Sequence, residues 1–164
     1  MNITFEKVDS HSELCERLKR GDKGVVLGDE DESPNEYFLA SIPGCLIGIC
    51  SEGHGIQPSI LLDTASGAAW IGYNMKVVKL DTNECRMKCV VHLDSAFFAF
   101  MCRMPDRSVI VVHELGAVRI SSSGSCLWNV STDVVIDFGD CGNVVSLRTQ
   151  DETISISKDQ GNRL

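Results

Sequence analysis

From Tyr37 onward the chain is a succession of short apolar runs, each closed by a cluster of Gly, Asn, Asp or Ser. This rhythm, more than the composition, limits what the chain can fold into. The clearest instance is "AVRISSSGSCLWNV", residues 117 to 130, which reads as strand, tight turn, strand, with Trp128 four residues past Gly124. Runs of this length predict strands near 37–42, 45–50, 58–63, 68–73, 76–81, 86–93, 97–103, 108–113, 117–121, 126–131, 134–138, 144–149 and 153–157. The stretch from Cys85 to Leu93 alternates, placing Cys85, Met87, Cys89, Val91 and Leu93 on a core face and Arg86, Lys88 and His92 on a wet one. The expected fold class is mainly β, in antiparallel sheets.

The opening hairpin has relatives. "KVVKLDTNECRMKCVV" lies 40 residues earlier and "ETISISKDQGNRL" 36 residues later, so that Leu80, Ile120 and Ile156 fall in register, each before a polar turn. "SILLDTASGAAWIG", with Leu62 before "DTASG", reads as a further copy. These spacings are close to the blade length of β-propellers, whose unit is a small antiparallel sheet of about four strands. "VIVVHELGAVRISSSGSCLWNV" resembles a blade of the PQQ-type propeller repeats, in which a V-x-A-L-D strand leads through a Gly turn to a strand carrying Trp. Val118, Ile120, Gly124 and Trp128 match that pattern, and the resemblance extends over residues 68 to 161, with Lys88 where the preceding copy would carry its Trp. It implies β repeats but not a closed ring, because a propeller needs four or more blades and the residues after 40 hold about three units. The expectation is an open blade-like stack or a two-sheet sandwich, with no cofactor, since the family's cofactor site needs a closed channel. Cys126, Trp128 and Val130 share a face by alternation, so Trp128 is expected to anchor the next unit and not to stack on a ligand.

Residues 1–36 differ from the β body at 37–164, and the two together are read as a single domain. Ser10 and Glu13 have capping-box spacing, Leu14 and Leu18 share a helical face, and Arg17, Lys19 and Arg20 sit where the C-terminal dipole favours cations. Together with Gly21 as a stop, they predict one short helix over 11–20. After "GVVLG" comes "DEDESPNE", residues 29 to 36, an exposed acidic loop.

The net charge of −8 is uneven. Residues 1–40 hold ten acids and five bases, residues 41–104 five of each, and residues 105–164 eight acids and five bases. An acidic chain repels phosphate backbones, which argues against a nucleic-acid partner and for a basic protein. No apolar stretch approaches the roughly 20 residues of a membrane span. The start "MNITFEKVDS" has no export pattern, so the expected location is cytoplasmic, and the eight cysteines are expected to be reduced core thiols.

The chemistry-bearing residues form no set with metal or catalytic spacing. There is no C-x-x-C, and Cys85 and Cys89 would lie about 13 Å apart along a strand, too far to share a zinc. "SEGHG", residues 51 to 55, is the most site-like loop, and a small hydrolase built on His54 and a Cys is the enzymatic alternative. His92 and His113 lie in strands, and Asp133 and Asp137 flank "VVI" as turn-makers or as the rim of a small site. The reading that follows is a non-enzymatic binding protein. In character it resembles bacterial immunity proteins, which neutralise basic nuclease-type toxins by occupying the active-site cleft. Asp29, Glu30, Asp31, Glu32 and Glu36, with Glu52 and His54, would make the contact in place of phosphates. A β-repeat scaffold or adaptor is the alternative.

Overall fold

The structure, a computed structural model, describes residues 3–28, 33–53 and 55–164. It is mainly β, with antiparallel sheets and one short helix, as the turn-punctuated apolar runs predict. The chain divides into two compact units, Met1–Asn74 with Val78–Lys88, and Met75–Val77 with Cys89–Leu164.

Near the N-terminus, β1 (Thr4–Val8), α1 (His11–Leu18), β2 (Gly24–Leu27), β3 (Glu36–Ile42) and β4 (Cys45–Ser51) follow one another. The sheet order is β1-β3-β4-β2, antiparallel except that β2 runs parallel to β4. Helix α1 starts where Ser10 Oγ accepts the Glu13 N–H at 3.2 Å, while the Glu13 carboxylate accepts the Asp9 N–H at 3.1 Å. Its buried face is Leu14 and Leu18, each worth about 1.5–3 kcal/mol of apolar burial. Gly48 in β4 allows the approach, because a Cβ there would stand 2.8 Å from Leu18 Cδ1.

The next three sheets are blade-like. β5 (Ser59–Asp63), β6 (Ala68–Tyr73), β7 (Lys76–Asp81) and β8 (Arg86–His92) form one in chain order. β9 (Phe97–Arg103), β10 (Val109–His113), β11 (Gly116–Ile120) and β12 (Cys126–Ser131) form the second. β13 (Asp137–Cys141), β14 (Val144–Arg148) and β15 (Thr153–Ser157) form a three-stranded third. Leu80, Ile120 and Ile156 are fully buried on β7, β11 and β15, the third strand of each sheet, so the repeat spacing is a blade spacing. The core of the first unit gathers Leu27, Phe38, Ile47, Ile49, Ile71 and Leu80. Trp70, also on β6, is buried at 1% exposure with Lys79 Nζ 5.3 Å from its ring centre. The second unit's core gathers Ile110, Val112, Trp128, Val145, Leu147 and Ile156.

Several expectations are corrected. Residues 1–36 contain two strands, β1 and β2, besides the helix and loop. The predicted copy around Leu62 falls on β5, a first strand, and is out of phase with the other three. The strand expected at 134–138 begins at Asp137, because the Gly142–Asn143 turn pairs Cys141 with Val144 and sets the register backwards from there. Met87 is 45% exposed, although alternation puts it on the core face. Finally, Cys45 and Cys85 are not free thiols. They are joined by a disulfide, with Cα atoms 5.5 Å apart, because the β3–β4 and β7–β8 turns of the first unit meet. No helix among the described residues is long and apolar enough to cross a membrane.

Candidate functional site

Two candidate segments that lie apart in the sequence meet at one end of the N-terminal sheet. Glu36 opens β3 directly opposite Ser51, the last residue of β4, and the Asn35 N–H donates to the Ser51 carbonyl at 2.9 Å. The exit of the acidic loop therefore lies beside the "SEGHG" turn. Asn74, in the left-handed region at φ 46 in the β6–β7 turn, organises that turn. Its Oδ1 accepts Ser51 Oγ–H and the Glu52 N–H, each at 3.0 Å. Gly53 has φ +69, and a Cβ there would sit 2.1 Å from Asn35 Oδ1, so a side chain at this junction would be strained and would displace the Asn35 amide. Glu36 and Glu52 are thus brought together. Asp29, Glu30, Asp31, Glu32 and His54 lie outside the described residues. One feature was not anticipated: Lys7 of β1 forms an ion pair with Glu36, so part of the acidity at this end is matched internally.

Beside the disulfide the same unit carries two adjoining clefts, of about 440 and about 160 Å³. Pro43, Thr82 and Asn83 line both, Cys45 and Lys23 line the larger, and Lys23 Nζ donates to the Asn83 carbonyl at 2.6 Å.

The second unit holds buried polar networks that sequence reasoning missed. Arg119 of β11 is 8% exposed, and each of its three guanidinium nitrogens donates at least one hydrogen bond. Nε donates to Ser108 Oγ at 2.8 Å and Nη2 to Asp106 Oδ2 at 2.8 Å, while Nη1 donates to the Lys158 and Asp159 carbonyls at 3.0 and 3.1 Å. Lys158, 7% exposed, donates to both Asp140 oxygens at 2.7 Å. The Lys158 carbonyl also accepts Trp128 Nε1–H at 3.0 Å, and Gly161 (φ +71) leaves the room that the indole occupies. Trp128 is therefore an anchor on the turn after β15. Hydrogen bonds from Ser108 first, with the Arg119 charge, hold the Asp106 carboxyl below its ordinary range, and Lys158 does the same for Asp140. Burial raises the Cys102 thiol next to this cluster. The available signal was one arginine inside the apolar run "GAVRI", with an Asp-x-Ser turn upstream.

His113, 1% exposed, stands 2.8 Å from Ser95 Oγ, which also accepts the Leu115 N–H at 2.9 Å. Ser95 Oγ and His113 Nδ1 share one hydrogen bond, whose donor is set by the ring tautomer. Burial pushes the His113 pKa down, opposed by the Asp94 carboxylate and the Asn129 side chain. Ser95, itself 5% exposed, thereby ties the His113 ring to the backbone of the β10–β11 turn. Asp137 is paired across the strands with Arg148 at 3.0 Å.

No family model and no curated protein matches the chain. Among solved structures it is similar to the crystal structure of BamB from Moraxella catarrhalis, with a TM-score of 0.53 and 15% identity. The similarity covers 99% of this chain and 51% of that one, so the chain spans about half of its length. At that identity the likeness speaks for the fold, which is one of blade-like, propeller-type β repeats.

Proposed function

We propose that the chain is a non-enzymatic protein-binding module that captures a basic partner through the acidic end of its N-terminal sheet. In its specific form the partner is a nuclease-type toxin domain, held as an immunity protein holds its toxin. The observation that carries this reading is the junction of Asn35–Glu36 with Ser51–Gly53, which places Glu52 at the exit of the acidic loop. The net charge of −8 supports it by steering a basic protein towards the surface. A second reading, a scaffold or adaptor that binds through blade edges, is favoured by the fold likeness.

The test replaces Asp29, Glu30, Asp31 and Glu32 with Ser and measures capture of a basic nuclease-type toxin domain. Unfolding should hardly change, since exposed charges contribute little to stability. Association should slow, and the difference from the parent should shrink as salt approaches 1 M, where the screening length is about 3 Å. Cells carrying the variant should lose protection while accumulating the protein normally. Full protection by the variant would refute the acidic-end reading and leave the scaffold reading.

A further inference from the structure

Large exposed apolar side chains gather on one rigid segment of the second unit. Val134 and Ile136 are 50% and 56% exposed, Phe138 at the start of β13 is 38% exposed, and Leu115 in the β10–β11 turn is 36% exposed. The segment is not a loose loop. Thr132 N–H donates to the Leu115 carbonyl, Val135 N–H to the Glu114 carbonyl and Ile136 N–H to the Arg148 carbonyl, each at 2.8 Å. Val135 is driven into the core at 3% exposure, which leaves its two neighbours in water. Such an apolar cluster on a fixed backbone is a feature of interaction sites, whereas singly scattered exposed apolar residues need no explanation.

The surroundings decide what could cover it. Asp133, Asp137 and Glu114 border the apolar side chains, and two bases beside the segment are already paired, Arg148 with Asp137 and Arg163, which also donates to the Ser131 carbonyl, with Glu152. A second copy would bring the same carboxylates, on a chain of net charge −8, against one another. The backbone offers a further point of attachment. Gly142 and Asn143 make a two-residue turn, so Cys141 and Val144 exchange both ladder bonds, and Phe138, three residues back, turns its N–H away from β14. That N–H is held by Asp137 Oδ1 at 3.0 Å, a bond that an incoming carbonyl can replace while a cation takes the carboxylate.

We propose that residues 132–138 with Leu115 form a docking surface for an extended segment of a partner protein that alternates apolar side chains with lysine or arginine. The proposal shares with the proposed function only the sign of the partner's charge, and it rests on different residues.

The probe is a short peptide alternating lysine with valine, compared with the same peptide carrying glutamate for lysine, and the readout is amide chemical shifts of the full chain. The lysine peptide should move the resonances of Leu115 and residues 133–138, and its affinity should fall at least about tenfold for V134S/I136S and with added salt. The double variant should unfold at the parent's midpoint, because both side chains are exposed. Glu52→Gln should leave this binding unchanged, which separates the surface from the acidic end of the N-terminal sheet. The proposal is overturned by equal binding of the glutamate peptide, by shifts confined to the region of Glu36 and Glu52, by undiminished binding to V134S/I136S, or by self-association that this variant abolishes.

Discussion

The turn that follows the third strand of a blade is secured covalently in the first unit and by polar contacts in the second. After β7, Cys85 is bonded to Cys45, and the Asp81 carboxylate accepts the N–H groups of Asn83 and Glu84. After β15, the turn is held by Arg119 and Trp128, which both donate to the Lys158 carbonyl. A disulfide stabilises mainly by restricting the unfolded chain and makes no demand on neighbouring polar groups. A buried arginine is useful only if every donor finds an acceptor, because a missing partner leaves a desolvated charge. The first device tolerates change around it, and the second depends on several residues at once.

The comparison can be broken most severely at Trp128. Trp128→Ala should cost about 3–5 kcal/mol, the usual range for a buried aromatic, read as a lower urea midpoint. Its remaining transition should still respond to a thiol reductant, since the disulfide lies in the other unit. Unchanged stability would mean that the indole does not secure the β15 turn.

Cys45→Ser should cost about 2–4 kcal/mol, because the bond closes a chain separation of 40 residues. The same loss should appear on adding reductant to the parent and be absent from the variant. A parent insensitive to reductant under denaturing conditions would show that the tie contributes nothing.

A smaller effect sharpens the contrast by its pH dependence. Burial holds His113 below its ordinary value of 6.5, so the folded ring stays neutral while the unfolded ring takes up a proton as the pH falls past that value. Stability should therefore be fully present above about 6.5 and decline below it. Asp106 and Asp140, whose values are lowered, lose their contribution only in the far more acidic range below 3.8. A His113→Gln variant should show a flatter melting temperature between neutral and mildly acidic pH. The same slope in variant and parent would assign the dependence to another group.

Much of the fold was legible because its signals are local. Ser10 and Glu13 mark the helix start, turn residues mark most strands, and the register of Leu80, Ile120 and Ile156 reports the blades. The strands that escaped notice lack those signals. β1, "TFEKV", has one buried residue, and β2, "GVVL", is four residues long and pairs in parallel with a strand beyond the acidic loop. β13 was misplaced because "VVI" has strand composition, while its register comes from a turn at the other end. The candidate site was legible only in parts. "DEDESPNE" and "SEGHG" each stand out, but their meeting depends on the β3–β4 pairing, and the Lys7–Glu36 pair depends on a strand that went unseen. The Cys45–Cys85 bond and the bonds from Arg119 to the Lys158 and Asp159 carbonyls join residues about 40 positions apart, which no local pattern announces.

The chain's two tryptophans are divided one to each unit, Trp70 in the first and Trp128 in the second, and both are buried. Intrinsic emission is therefore a pair of addressable optical reporters. With Trp70→Phe the signal follows the polar-secured unit alone, and with Trp128→Phe the disulfide-secured one, so the order in which the halves open is written in the colour of the light.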